Sequence, residues 1–570
     1  MKNEFFKQYV CLDGETPSFR KPEIGTKASF QKGMILFMSE TKAAAPIGQP
    51  QIRHFHEILQ RYRTAKASLD ARCTEAERWW RLRNTGEESR QYALARDDGH
   101  HSASAWLHNV IVNKHADATD AYPLPQILPR GEDDVEQADM LSRILPCILE
   151  QNHFERTWSE LSWQKLKTGT AVCKIVWDAR RAGGLGDIAI EKVDLRDIYF
   201  DSRVRDIQHS PYLFHLEWED EETLRRRYPE LAGKDLHSTL APAESEDDRL
   251  PVIEVYYKIP VDGRETLQYC RYVGDQLLFA TENDPDLRER GLYDHARYPF
   301  VLDPLFPIDG SPCGYGYIDL CRGAQIEIDL LKTAFVRNAL VGATPRYFSR
   351  GEGICEEEFL DLTCPVVHVN SASDDTLRRI EHDTLAPSYI DLYDRTVKEL
   401  RETSGNTETG TGNVSAGVTA ASAIAALQEA SGKSSRDANA ASYRAFGETV
   451  ELCIELIRQF YTLPRCFRIT ESDGVCRFTR YNADSLRPIH QIGITGEDLG
   501  WRLPIFDVKI RARRRNAYSA AAQNELTLEL FRIGFFDPAR RGEALSAAAL
   551  LDFEGKEEIL RRLDEGTAGM

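Results

Sequence analysis

The chain has 570 residues, of which 42% are hydrophobic and 28% are charged, and its formal net charge is −18 at pH 7. This length exceeds what one compact core supports, so it predicts several domains or one elongated subunit. The acidic balance argues against a protein that grips nucleic acid over its whole surface, and no apolar run approaches the ~18 residues of a membrane span.

The N-terminal part of the chain is predicted to be helical after an irregular start. Residues 1–50 are interpreted as a flexible arm, or as the product of a start codon assigned too early. From about His54, apolar residues recur at helical spacing and predict one long amphipathic helix. Two further helical blocks are predicted at 104–121 and 133–166, the first of which ends against Pro123.

A change from helical to strand patterning follows. Two strand-like runs, 170–177 and 187–193, flank the glycine-rich stretch 183–186, which predicts a β-hairpin. More short strands are predicted around 212–218, 252–258 and 267–280. We therefore expect residues 51–312 to form one unit of helices followed by β-hairpins, and the chain as a whole to be α+β.

Two long helices are predicted to flank a small insert. The first covers 313–345 and the second 387–404, which begins at Pro387, a residue favoured in the first turn. The insert at 346–386 contains one predicted strand at 365–369. Apolar side chains recur along the first helix at alternating steps of three and four residues, at Cys321, Ala324, Ile328, Leu331 and Phe335. They form one narrow stripe.

A Gly/Thr-rich loop at 405–418 has no hydrophobic anchor and leads into an Ala-rich helix at 419–463. Its composition is typical of a loop that extends into an opening. Glu408 is its one charged residue. The polar side chains that could meet a ligand there are Thr407, Glu408, Thr409, Thr411, Asn413 and Ser415.

The last third of the chain returns to strands and ends in helices. Phe506, Val508 and Ile510 alternate with charged residues, as expected for a half-exposed strand within a β-rich region at 464–515. Residues 516–570 are predicted to be helical.

One motif resembles a phosphate-binding loop. Ser431–Ser435 reads SGKSS, but the glycine expected five residues before Gly432 is Leu427, and the context is helical rather than strand–loop–helix. We interpret the motif as a helix interruption or bend, because Gly and Ser both weaken a helix interior.

No convincing active site or cofactor site is found. The twelve cysteines lack the spacing of zinc sites and are interpreted as reduced, mostly packed thiols. His100, His101, His108 and His115 are interpreted as surface or packing residues. We therefore predict a protein that is not an enzyme.

Two charge clusters have alternative interpretations. The basic run Arg511, Arg513, Arg514 and Arg515 could touch DNA, or could form salt bridges between subunits of an acidic assembly. Glu356, Glu357 and Glu358 in the insert are either a solvated face or a docking site for a basic partner.

The order of these features resembles the portal proteins, or head-to-tail connectors, of tailed bacteriophages and prophages, over about residues 50–565. No single motif carries the resemblance; it depends on the order of several short matches. These are Asp303-Pro304-Leu305, Gly314-Tyr315-Gly316, Gln325, Ile328-Asp329, Asn338-Ala339, Pro345-Arg346 and the run from Gly417 to Ile424 that leads into Leu427-Gln428-Glu429. Upstream, Trp79-Trp80, Asn109, Gly169, Val176-Trp177-Asp178 and Pro229 fit the same pattern.

The resemblance implies an elongated subunit with named parts. Residues 313–345 and 387–404 would be paired stem helices, and 346–386 would be the clip. Residues 405–418 would be the tunnel loop facing DNA and 419–463 a helix beneath the wing. The wing itself would comprise 51–312 and the β-rich return 464–515, and 516–570 would form a helical crown.

The resemblance also implies a function. Portal subunits form a ring, usually dodecameric, at one capsid vertex, through which double-stranded DNA is packaged and ejected. The narrow stripe from Cys321 to Phe335 suits a helix packed against neighbouring copies in such a ring. Implied partners are the terminase large subunit, head-completion or adaptor proteins, and capsid and scaffold proteins, with assembly in the host cytoplasm and residence in the virion. Two alternatives remain open: a nucleotide-dependent packaging or remodelling enzyme that uses Ser431–Ser435, and a structural capsid or adaptor subunit without a channel.

Overall fold

The structure is a computed structural model, and it contains both helices and strands, so the chain is α+β as predicted. It describes residues 46–82, 104–236, 249–261, 263–343, 347–349, 377–379, 385–406, 433–470, 476–492, 498–514, 517–536 and 541–551. The predicted strand at 365–369 and the acidic residues Glu356, Glu357 and Glu358 lie outside this part of the chain.

Four helices dominate the first part of the fold. Their bounds are α1 Gln49–Trp80, α2 Trp106–Asp120, α3 Val135–Gln151 and α4 Phe154–Thr168. The prediction of one helix over 133–166 was wrong, because His153 adopts a left-handed backbone conformation (φ 50°) that separates α3 from α4. Gly169, also left-handed with φ 87°, ends α4.

A three-stranded antiparallel sheet follows α4 and confirms the predicted hairpin. Strands β2 Thr170–Asp178 and β3 Asp187–Val193 pair through the glycine-rich turn, and β9 Phe300–Pro304 pairs with the other edge of β2. Gly183, Gly184 and Gly186 all have positive φ, which explains the glycines in the turn.

A five-stranded antiparallel meander lies beside it. Its strands are β4 Ile198–Phe200, β5 Tyr212–Asp220, β6 Arg249–Val261, β7 Arg264–Val273 and β8 Gln276–Ala280, with the short helix α5 Glu221–Arg227 after β5. The start of α1 packs on this sheet, where Ile52, Phe55 and Leu59 are buried with sheet residues such as Phe214 and Tyr272.

One strand that the sequence did not predict pairs two segments that are far apart in the sequence. β1 Ala121–Pro129 pairs in antiparallel fashion with β18 Phe506–Arg514. Prolines at 123 and 125 made this segment read as a helix stop. They are tolerated because, among the strands that the structure describes, β1 pairs with β18 alone, so its other edge needs no ladder hydrogen bonds.

The remaining described strands form two-stranded pairs. These are β10 Phe306–Pro307 with β11 Gly314–Tyr315, β12 Tyr347–Ser349 with β13 Leu377–Arg379, β14 Arg465–Thr470 with β15 Cys476–Tyr481, and β16 Ile489–Ile492 with β17 Asp498–Arg502. The half-exposed strand predicted at 506–511 is confirmed: Phe506, Val508 and Ile510 are half-buried, and their neighbours are exposed.

The later helices are α6 Tyr317–Ala343, α7 Pro387–Ser404, α8 Lys433–Phe460, α9 Ala517–Arg532 and α10 Arg541–Leu550. The helix predicted from 313 begins four residues later, because Gly314 and Tyr315 pair with β10. Pro387 is in the first turn of α7, as predicted. None of the described helices is long and apolar enough to cross a membrane.

The main hydrophobic core lies between α3, α4, the three-stranded sheet and α8. Leu141, Val172, Cys453 and Ile457 are representative of its fully buried side chains. The C-terminal half of α8 is therefore a central core helix. Of the nine cysteines described, six are buried free thiols, Cys147 is half-buried, and Cys466 and Cys476 are exposed, which fits the prediction of mostly packed thiols.

Candidate functional site

Helices α6 and α7 lie side by side and form the centre of the candidate site. Phe335, near the end of α6, and Tyr393, near the start of α7, have ring centroids 5.8 Å apart. Ile328 and Leu400 are fully buried in one apolar cluster further along the pair. The two helices are therefore antiparallel, although 43 residues separate them in the sequence.

The apolar stripe on α6 packs within its own chain. Cys321 and Ile328 are buried, and Ala324 packs against the same cluster, which includes Leu107 and Ile111 of α2. Leu331 and Phe335 are half-buried. The expectation that this stripe faces neighbouring copies is therefore wrong for Cys321 and Ile328, because side chains of the same subunit already cover them.

Other apolar side chains of the helix pair are exposed instead. They are Leu320, Val336 and Leu340 on α6, and Tyr389, Ile390 and Leu392 on α7. Five of these six lie in the last third of α6 or the first third of α7, which is the end of the pair farthest from Leu400. Tyr389 and Ile390 are therefore not part of the buried face that carries Leu400.

Helix α2 is attached to α6 by a buried polar contact. The Gln325 side chain is 1% exposed, and its Oε1 accepts a hydrogen bond from Leu107 N at 3.1 Å. Gln325 Nε2 donates to Ser104 O at 3.0 Å. Asp329 Oδ1 accepts from Ser104 N at 2.8 Å, so two α6 side chains satisfy backbone groups at the start of α2.

The described segments before and after residues 407–432 both contact α2. Asn113 Nδ2 donates to Asn406 Oδ1 at 3.0 Å. Lys114 Nζ donates to Ser435 Oγ at 2.9 Å, and Ser435 Oγ donates to Asp117 Oδ2 at 2.6 Å. The predicted loop residues Thr407, Glu408, Thr409, Thr411, Asn413 and Ser415 lie outside the described residues, as do residues 419–432 of the predicted Ala-rich helix.

The SGKSS motif is built into α8 rather than into a phosphate loop. α8 begins at Lys433, so the last three residues of the motif are helical. Ser435 is buried and its hydroxyl is engaged by Lys114 and Asp117. The described part of the motif therefore has the helical context that argued against a nucleotide site.

The histidines of α2 are packing residues, as predicted. The His108 ring stacks on Trp80 with centroids 4.2 Å apart, and the His115 ring stacks on Trp163 at 3.8 Å. Burial lowers the pKa of His115. His100 and His101 are not among the described residues.

The basic run lies at the end of β18. Arg511 is exposed and stands opposite Leu124 of β1. Arg513 and Arg514 are placed by the same strand pairing, opposite Tyr122 and Ala121, and Arg515 lies beyond the described part of the strand. A common location on one strand end leaves both interpretations of the run open.

One buried polar cluster was not found from the sequence. His215, Glu217 and Glu254 bring one nitrogen and two carboxylates within 4.8 Å of one another, a set that could hold a metal ion. Lys174 Nζ contacts all three, at 2.7 Å from Glu254, 2.9 Å from Glu217 and 3.3 Å from His215 Nδ1. Because the ammonium already supplies the positive charge, this is an ion-pair cluster and not a metal centre.

The electrostatics of this cluster follow from burial and pairing. Burial alone would raise the pKa of Glu254, but Lys174 and His215 hold it well below its ordinary value. Burial would likewise lower the pKa of Lys174, and the two carboxylates raise it instead. No sequence signal indicated the cluster, since Lys174 and Glu254 are 80 residues apart.

The structure therefore combines paired antiparallel helices, a small two-stranded unit that lies between them in the sequence, and strands on either side. The family described as "Phage P22-like portal protein" matches residues 117–297 and 359–570. The chain therefore belongs to the phage portal proteins, a class of structural proteins rather than enzymes. Within that class, its family is the P22-like one. A comparison with curated proteins finds no match.

Membership in this family implies an oligomeric ring associated with the capsid vertex. The two matched ranges leave out residues 1–116 and 298–358. All of α6, and α2 as far as Ala116, therefore lie outside the match, and the contacts of Asn113 and Lys114 are features that the family comparison does not cover.

Proposed function

We propose that copies of this chain form a ring, dodecameric by resemblance, around a channel through which double-stranded DNA is packaged and later ejected. The observation that carries the proposal is the family match, together with an antiparallel helix pair whose far end exposes large apolar side chains. Exposed side chains of this size in a soluble ring subunit are best explained by contact with the next copy.

The parts of the subunit are proposed to have the following roles. Residues 313–345 and 387–404 are stem helices, 346–386 are the clip, and 405–418 are the tunnel loop. Residues 51–312 and 464–515 form the wing, with 419–463 beneath it, and 516–570 form the crown. The described strands β12 and β13 lie in the proposed clip, and their pairing supports a small folded unit there.

Contacts between copies are proposed at the far end of the stem. Val336 and Leu340 on α6 and Ile390 and Leu392 on α7 are 43 to 55% exposed. Complete burial of an exposed apolar side chain of this size yields about 1.5–3 kcal/mol, and because these four are already about half-buried, each can contribute roughly half of that. A ring repeats the contact at every interface, so a modest patch on one subunit can hold the whole assembly.

The channel is proposed to guide DNA without holding it. Thr407, Thr409, Thr411, Asn413 and Ser415 are small and uncharged, and Glu408 repels phosphate. Tight binding to phosphates would stall transport, because each neutralised phosphate adds to the affinity. The arginines at 511 and 513–515 are proposed to contact either DNA or a neighbouring subunit.

The clip is proposed to bind the terminase large subunit during packaging and head-completion or adaptor proteins afterwards, with Glu356, Glu357 and Glu358 as the docking surface for a basic partner. Capsid and scaffold proteins would surround the ring, which would assemble in the host cytoplasm and remain in the virion. The two alternatives are a nucleotide-dependent enzyme and a capsid or adaptor subunit without a channel.

Negative-stain electron microscopy of the purified full-length protein tests the proposal. Rings with a central hole are expected, and a stable monomer or a closed disc would overturn it. ATP hydrolysis by the same sample, lost in Lys433→Ala, would instead favour the enzyme. The control is Lys398→Ala, which removes an exposed lysine of α7.

A further inference from the structure

Helix α2 contacts three parts of the proposed channel region. At its start it is bound by Gln325 and Asp329 of α6. Further along, Asn113 contacts Asn406, the last described residue after α7, and Lys114 contacts Ser435 in the first turn of α8. Two adjacent residues of α2 therefore contact the described residues on both sides of 407–432.

The contact with α8 is stronger than a surface hydrogen bond. Lys114 is 5% exposed, and burial lowers its pKa. A buried ammonium is costly unless acceptors surround it, and here it donates to Ser435, whose hydroxyl in turn donates to Asp117. Asn439, one turn further along α8, also donates to the Asp117 backbone oxygen at 3.4 Å. The chain of donors fixes the start of α8 in one position along α2.

The contact with α6 fixes α2 itself. Gln325 uses both its amide oxygen and its amide nitrogen on the first residues of α2, and it is almost fully buried. An apolar residue would fill the same space, but it would leave Leu107 N and Ser104 O without these partners. A displacement of α6 along its axis would therefore move the start of α2 with it.

We propose that α2 is a positioning helix, which sets the separation between Asn406 and Ser435 through Asn113 and Lys114 and links that separation to α6 through Gln325. The identity of residues 405–418 as the channel-facing loop rests on the proposed function, whereas the mechanical link does not. In a ring, the link makes the position of the stem helix set the span of the channel-facing segment.

A second contact of the same chemistry provides a matched control. Lys165 Nζ donates to Ser442 Oγ at 2.8 Å, and Ser442 Oγ donates to Asp303 Oδ2 at 2.6 Å. Ser442 lies seven residues after Ser435 on α8, which is about two helical turns. The two serines therefore lie on the same face of α8, and Ser442 is the farther one from residues 407–432. Ser442→Ala removes an equivalent hydroxyl without touching either end.

Hydrogen exchange on the assembled full-length protein tests the proposal. Asn113→Ala is expected to speed exchange at 402–406, and Ser435→Ala at 433–439, each about fivefold, the loss of one hydrogen bond. Gln325→Leu should speed exchange at both ends, although it touches neither. Ser442→Ala should leave 402–406 at the wild-type rate.

Two results would overturn the proposal. One is that Gln325→Leu speeds exchange at 105–110 but leaves exchange near Asn406 and Ser435 unchanged. The start of α2 would then be loosened without any effect on either of its two contacts. The other is equal exchange at 437–439, the first amides of α8 with an intrahelical acceptor, in Ser435→Ala and Ser442→Ala. If Gln325→Leu does not fold, Ser104→Ala weakens the same contact more mildly and is measured in its place. A protein that forms no ring would refute the proposed function but would leave this comparison intact.

Discussion

Lys174→Met tests whether the buried cluster around Glu254 stabilises the fold. Lys174 and Glu254 are each about 5% exposed, and the lysine bridges Glu254 and Glu217 at 2.7 and 2.9 Å. Methionine keeps the length and most of the volume of the side chain but removes the charge. The substitution therefore leaves the carboxylate of Glu254 buried without its closest cation.

The expected loss is about 3 kcal/mol of unfolding free energy. Removing one partner of a buried ion pair typically costs about 3–5 kcal/mol. The low end applies because Glu254 keeps three other partners: its Oε2 is 2.9 Å from His215 Nδ1 and accepts from Tyr256 at 3.3 Å, and its Oε1 accepts from Tyr269 at 2.7 Å. Glu217 likewise keeps Arg271 at 2.8 Å.

Urea denaturation of the purified protein measures the effect, with Lys174→Met/Glu254→Leu as the second variant. Because the double variant leaves neither charge buried, its loss should be smaller than the sum of the two single losses by about 2 kcal/mol. A loss below about 1 kcal/mol for Lys174→Met, or strict additivity, would refute the reasoning. Zn²⁺ gives an independent check: it should raise the melting temperature of Lys174→Ala, which vacates the three-ligand site, and leave the wild type unchanged.

Three other substitutions test separate parts of the structure. Gly169→Ala should destabilise the protein by about 3 kcal/mol, because φ is 87° and a Cβ would lie 2.3 Å from the carbonyl carbon of Tyr315; Gly310→Ala, also at positive φ but in open space, should cost less. Burial, assisted by Arg297, lowers the pKa of His295 to about 4. As the pH falls from 6.5 to 4, the unfolded chain therefore takes up this proton before the folded protein does, and the free energy of unfolding should fall by about 2 kcal/mol. A pH titration of urea midpoints should show a smaller fall for His295→Gln. Ile390→Glu, with Glu399→Gln as the exposed control, should reduce the ring fraction in mass photometry; unchanged rings would exclude this end of α7 from the interface.

Local patterns predicted the elements that depend on neighbours in the sequence. The glycine-rich turn between two strand-like runs at 170–177 and 187–193 specified the β2–β3 hairpin, and Pro387 marked the first turn of α7. Each signal is local because turn geometry and helix starts depend on a few adjacent residues. The family was also recognisable, since the order of short matches follows the chain.

Long-range partners were not predictable in the same way. β1 pairs with a strand almost 400 residues later, and its prolines suggested a break. The apolar spacing of Cys321 and Ile328 correctly predicted the buried face of α6, but it did not predict that α2 of the same chain packs on that face. Periodicity shows that a face is apolar and does not show which residues cover it. Ser435 sits in a motif that looked like a helix interruption, and its buried hydrogen bonds come from α2, 318 residues earlier in the case of Asp117.

The distribution of charge supports the proposal that the channel holds DNA weakly. Several cations that could attract phosphate are paired inside the subunit, such as Lys165 with Asp303 at 2.7 Å and Arg130 with Asp507 at 2.6 Å. Phosphate would have to compete with these carboxylates in a chain whose net charge is already −18. Since counterion release scales with the number of phosphates neutralised, DNA association with the ring should depend only shallowly on salt. If the proposed ring conducts DNA, the positions of loop and stem would matter more for DNA passage than charge, and those positions are what α2 is proposed to control.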